Sequence, residues 1–99
     1  MEKIYDKIEK DLLIDSELMI FGMIVGHVII KKNGILVLNG TITKDLILEE
    51  GSRCDLYGTV SGNVINKGGI LQVNGRIYGT LSKESGFTQI DPNAVIGTK

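Results

Sequence analysis

Two ladders of glycine with a shared period constrain this chain more than any other feature. Gly22, Gly40, Gly58 and Gly75 follow one another at steps of 18, 18 and 17, and Gly34, Gly51, Gly68 and Gly86 at 17, 17 and 18. A repeat of this kind decides the architecture before local propensity does. The apolar residues keep the same step. Ile20, Leu38, Leu56 and Val73 lie two before the first glycine, and Ile24, Ile42, Val60 and Ile77 two after it. Leu18, Leu36, Cys54 and Leu71 lie four before it, and Val28, Leu46, Val64 and Leu81 six after it. Spacing by two is the period of a strand that turns alternate side chains to one core.

A unit this short cannot fold alone, but it can be one wrap of a coil whose neighbours stack above and below. The chain is therefore expected to be all-β: a parallel β-helix, or solenoid, of about four to five turns with a short N-terminal helix. The clear wraps cover 18–34, 35–51, 52–69 and 70–86. A degraded fifth follows, with Thr88, Ile90, Ala94 and Ile96 in core columns and corner and Pro92 replacing a bend glycine. Glycine marks bends, where the backbone needs a positive φ or a side chain would crowd the corner.

The stretch 1–17 reads differently. Ile4, Ile8 and Leu12 recur at every fourth position among Glu2, Lys3, Asp6, Lys7, Glu9 and Lys10, the pattern of a short amphipathic helix. The expected organisation is a capping segment over 1–17 and a β-helix domain over 18–99.

Outward positions bear on function. In later wraps they are mostly polar, as at Thr41, Thr59, Asn63, Gln72 and Arg76. In the 18–34 wrap they are Met19, Phe21, Met23, Val25 and Ile29, a larger apolar exposure than a soluble monomer usually carries. These five are the candidate interface, to be covered either by the N-terminal segment or by another chain. The ends of the solenoid, with unpaired strand edges, are a second candidate.

Little else points to chemistry. A net charge of -1 gives no basis for attracting nucleic acid. His27 and Cys54, the single histidine and single cysteine, face opposite ways, so a Cys-His nucleophile is not expected; Cys54 reads as a small core residue. No zinc spacing occurs, and Lys31-Lys32 and Glu49-Glu50 read as solvated corners. "GTVSGNV" and "GRIYGTL" are not phosphate loops, because their glycines repeat every wrap and no strand-to-helix junction follows. No catalytic residue, cofactor or metal is expected. The lone cysteine and the absence of a leader pattern suggest a cytoplasmic protein.

The pattern apolar-x-Gly-x-apolar-x-Gly-x-apolar, seen in "IFGMIVGHV", "LYGTVSGNV" and "VNGRIYGTL", resembles that of the bactofilins, bacterial polymer-forming cytoskeletal proteins. The resemblance runs from about Leu18 to Gly97. It implies a right-handed, triangular β-helix that assembles end to end without nucleotide and in some cases contacts membrane through its N-terminal tail. The expected function is a non-enzymatic scaffold whose partner is a further copy of itself, as a homo-oligomer or filament. The alternative is a small protein-binding module, such as an immunity or adaptor protein. A hexapeptide acyltransferase fits less well, since its six-residue repeat is missing.

Overall fold

A chain that wraps at so short an interval must pair its backbone N–H and C=O groups with the wraps on either side, because buried ones cannot be left to water. The computed structural model describes residues 1–97 and meets this demand with parallel strands throughout. The first wrap is β1 (Glu2–Ile4), β2 (Lys7–Ile8) and β3 (Leu12–Ile14), and the second is β4 (Glu17–Ile20), β5 (Met23–Ile24) and β6 (Val28–Ile30). The third is β7 (Ile35–Leu38), β8 (Thr41–Ile42) and β9 (Leu46–Leu48). After β10 (Arg53–Leu56) and β11 (Thr59–Val60), the long β12 (Val64–Val73) carries the chain round a corner into the next wrap. β13 (Arg76–Ile77), β14 (Leu81–Ile90) and β15 (Val95–Ile96) complete a solenoid of about five turns.

Each wrap contributes to three faces. The second face is a six-stranded sheet in the order β15-β13-β11-β8-β5-β2. The first and third are joined through β12 into one nine-stranded sheet, β1-β4-β7-β10-β12-β9-β6-β3, with β14 beside β12. The register aligns Ile24, Ile42, Val60 and Ile77 in one column, and Leu18, Leu36, Cys54 and Leu71 in another, all buried. Side chains fully enclosed in this way contribute on the order of 2 kcal/mol each.

The N-terminal helix is not seen. Residues 2–14 form a complete wrap instead, with Ile4, Ile8 and Leu12 in register with Ile20, Ile24 and Val28. The spacing of four that suggests a helix is the spacing of inward residues across the glycine corners of the next four wraps, because one outward–corner–outward triplet separates them. The corner glycines are the missing cue, and their absence has a cause. A Cβ on Gly22, Gly40 or Gly58 would fall on the backbone carbonyl oxygen of the wrap beneath: Asp6, Gly22 and Gly40 respectively. No earlier wrap lies beneath Asp6 among the described residues, so that position accepts a side chain.

The second ladder is also shifted from the expected register. Asn33, not Gly34, adopts the left-handed conformation at φ 71° and donates its N–H to the Gly51 carbonyl at 3.0 Å. Asparagine tolerates that region better than most residues. In the last wrap, the turn Asp91–Ala94 lengthens the path, so Ile96, and not Ala94, pairs with Ile77. Thr88 and Ile90 pair with Leu71 and Val73 as expected, and Ala94 still packs on the core.

The inward column Ile14, Ile30, Leu48 ends on a polar residue, the fully buried Asn66. Its Oδ1 accepts from the N–H groups of Gly68 and Gly69 at 3.1 and 2.8 Å. Its Nδ2 donates to the carbonyls of Gly69 and Phe87 and to Thr88 Oγ1. One side chain thus satisfies the corner through which β12 passes.

Two stability outcomes follow, each read by thermal or denaturant unfolding. Gly58→Ala is expected to cost about 2 kcal/mol or more, since the new Cβ must displace a backbone carbonyl of the wrap beneath. Asn66→Leu, which restores the aliphatic column, is nevertheless expected to cost about 3 kcal/mol, because it strands the two corner N–H groups. Stabilisation by Asn66→Leu would show that the corner finds other partners.

Candidate interaction surfaces

The wrap fixes which lateral position a residue occupies, and the parallel register then lines equivalent positions up along the stack. The candidate residues Met19, Phe21, Met23, Val25 and Ile29 belong to the second wrap and are dispersed around it. Met19 lies on β4 between Lys3 and Val37, Met23 on β5 between Lys7 and Thr41, and Ile29 on β6 between Leu13 and Ile47. Phe21 follows β4 and stacks on the Tyr5 ring, with centroids 5.0 Å apart and planes at 6°. The N-terminal wrap therefore lies beside these residues, edge to edge, and leaves Phe21 41% and Met23 38% exposed.

A continuous apolar feature lies on the third face. Leu13, Ile29, Ile47 and Ile65 occupy the outward middle position of β3, β6, β9 and the start of β12, and the column ends at Ser82. Leu13 is 67% exposed and the three isoleucines are half-buried. The third strand of each of the first three wraps is an unbroken apolar run, "LLI", "VII" and "LIL", and in a strand the middle residue must point out. That signal is available in the sequence; reading only the inward columns hides it.

Polar ladders flank the stripe. On one side, Asp11 Oδ1 accepts from the His27 N–H at 2.8 Å, His27 Nδ1 from the Asp45 N–H at 3.3 Å, and Asp45 Oδ1 from the Asn63 N–H at 2.8 Å. Asn63 Oδ1 completes the ladder by accepting from the Thr80 N–H at 2.8 Å. Each side chain satisfies a corner N–H of the next wrap, and His27 occupies a rung of this ladder. Accepting at Nδ1 fixes its tautomer as the one protonated at Nε2. On the other side stand Asp15, Lys31, Glu49 and Lys67, with Lys31 Nζ 3.4 Å from a Glu49 carboxylate oxygen.

Cys54 lies wholly inside, and burial pushes its thiol up, with Asp55 adding to the effect and Arg53 opposing it. Such a thiol is neutral and closed to reagents. Among the described residues, no three His, Cys, Asp or Glu side chains converge, and no helix is long and apolar enough to cross a membrane. A shallow depression of about 260 Å³ lies between Tyr57, Thr59, Asn74, Arg76, Asn93 and Val95, with the Arg76 guanidinium 5.4 Å from the Tyr78 ring.

These features define the class: a parallel β-solenoid whose polar corners are structural and whose distinctive surfaces are its outer columns and its ends. No protein-family model, curated protein or solved structure gives a significant match to the chain.

The ladder predicts the response at position 27. His27→Ala removes the acceptor for the Asp45 N–H and is expected to cost about 1 kcal/mol. His27→Asn, which repeats the Asn63 arrangement, is expected to be neutral within about 0.5 kcal/mol by the same unfolding measurement. Equal losses from both would remove the ladder as a source of stability.

Proposed function

We propose that this protein is a non-enzymatic scaffold, similar to the bactofilins, that assembles with further copies of itself through the ends of its solenoid. The observation that carries the reading is the state of the terminal wraps. At one end, Ile4, Ile8 and Leu12 are only partly buried and their strands have no outer neighbour among the described residues. At the other, Ile90 and Ile96, which continue the inward columns of Val73 and Ile77, are 39 and 37% exposed. A strand edge with open N–H and C=O groups around an aliphatic cross-section is a template for another wrap of the same kind.

A scaffolding role is also supported by how the reactive side chains are used, since the only cysteine is in the core and the only histidine is bonded into a corner. The apolar residues of the second wrap, Phe21 and Met23 above all, offer an additional contact for such an assembly. A cytoplasmic location in a bacterium is part of the same proposal.

Negative-stain microscopy and sedimentation velocity over a range of protein and salt concentrations test it. Elongated particles that lengthen with concentration are expected, and Ile96→Asp at one end or Ile8→Asp at the other is expected to shorten them. Discrete globular particles at every concentration would reject end-to-end assembly. A stoichiometric partner of different sequence would favour a protein-binding module instead.

A further inference from the structure

The aliphatic stripe on the third face and the charges beside it have a symmetry that specifies a partner. Along the stack, the stripe reads Leu13, Ile29, Ile47, Ile65, and the rim beside it reads Asp15, Lys31, Glu49, Lys67, alternating in sign at every rung. Rungs are about 4.8 Å apart, so the four span roughly 14 Å. We propose that a second copy of this chain docks on this face, stripe against stripe with the two solenoid axes antiparallel, forming a two-fold symmetric dimer.

The charge pattern selects the antiparallel arrangement. Place the two-fold axis in the interface, across the stack and midway between Ile29 and Ile47. Ile29 then meets the partner copy at Ile47, and Leu13 meets it at Ile65. On the rim, Lys31 meets the glutamate equivalent to Glu49, and Asp15 the lysine equivalent to Lys67, so every rim pair joins opposite charges. On the opposite side of the stripe, the neutral His27 meets the aspartate equivalent to Asp45, a pairing of an Nε2–H donor with a carboxylate acceptor and not of like charges. A two-fold contact is self-complementary by construction, and each of these pairs occurs twice.

The parallel arrangement reverses the outcome. With the axis along the stack, each rung meets the same rung of the partner, and the rim column faces the corner ladder. Asp15 then opposes Asp11 and Glu49 opposes Asp45, while Lys31 and Lys67 face the neutral His27 and Asn63 and gain no carboxylate. Apposed like charges without compensation disfavour that mode, so the same residues that permit one orientation select against the other. The patch is smaller than the roughly 800 Å² per partner of a stable standard interface, so the dimer is weak and forms at high protein concentration.

This contact uses a side of the solenoid and leaves its ends free, so it stands or falls separately from end-to-end assembly. The test is sedimentation velocity over a concentration series at low salt, using the chain with Ile8→Asp and Ile96→Asp so that only lateral contacts remain. A concentration-dependent dimer is expected. Ile47→Lys, or the gentler Ile47→Thr, is expected to weaken it at least tenfold without a comparable fall in melting temperature, since position 47 points outward. Lys31→Glu and Glu49→Lys are each expected to weaken it about fivefold. Mixed one to one, these two chains carry complementary charges at both positions and are expected to recover at least the affinity of the unsubstituted dimer. A mixture that associates no better than its separate components, or a chain that stays monomeric throughout, would overturn the proposal.

Discussion

The close approach of one wrap to the next at the corners governs the rest of this structure. Strands in adjacent wraps can keep parallel hydrogen bonds only if the corners between them stack at the same spacing, and a corner has no pleat in which to hide a side chain. At Gly22, Gly40, Gly58 and Gly75, the space a Cβ would need is already filled by the carbonyl of the wrap beneath. Glycine here serves proximity and not a special backbone angle; positive φ values occur at the other corner, at Asn33, Gly51 and Gly68. With those corners fixed, the spacing of two before and two after each glycine turns one column of each face inward, and the aliphatic interior follows.

The same constraint explains what can be read from the sequence. The inward columns from Leu18 to Leu81 are legible because glycine and aliphatic ladders agree, and two independent periodicities seldom coincide by chance. The first wrap is not legible as a wrap, because Asp6 and Lys10 stand where later wraps have Gly22 and Gly26, and Ile4-x-x-x-Ile8-x-x-x-Leu12 then matches a helix face. A spacing of four is shared by one side of a helix and by the inward residues of a corner-rich solenoid, and only the vertical register distinguishes them. The slip between Ala94 and Ile96 is hidden for a different reason: extrapolating a period cannot anticipate a turn closed locally by Asp91, which accepts from the Asn93 and Ala94 N–H groups.

Polar corners show how an apparently chemical residue can be structural. Asp11, His27, Asp45 and Asn63 differ in charge and acid–base character, yet each offers one acceptor to the N–H of the following wrap. What the position selects is a short side chain with a lone pair at the right height, and histidine meets that condition through Nδ1. Asn66 follows the same logic within the core: an amide replaces an aliphatic residue because the corner at Gly68 and Gly69 presents N–H groups to be satisfied. The sequence "NKGG" carries the usual signature of an asparagine-supported turn, a local cue that the inward-column reading passes over.

Outward columns are freed from packing and are therefore where function has room to differ. A solenoid imposes one condition on them: residues at the same lateral position become neighbours at strand spacing, so like charges in successive wraps repel and alternation of sign is favoured within a single chain. Alternation over an even number of rungs has a further geometric result, because reversing the order of the rungs exchanges every plus with a minus. Over an odd number it would not. The aliphatic stripe ends at Ser82, and β12 and β14 slip register beyond Asn66, so the regular ladder has four rungs. A charge pattern that lowers repulsion inside one molecule is thus also complementary to an inverted copy of itself, and the length of the stripe decides that it is.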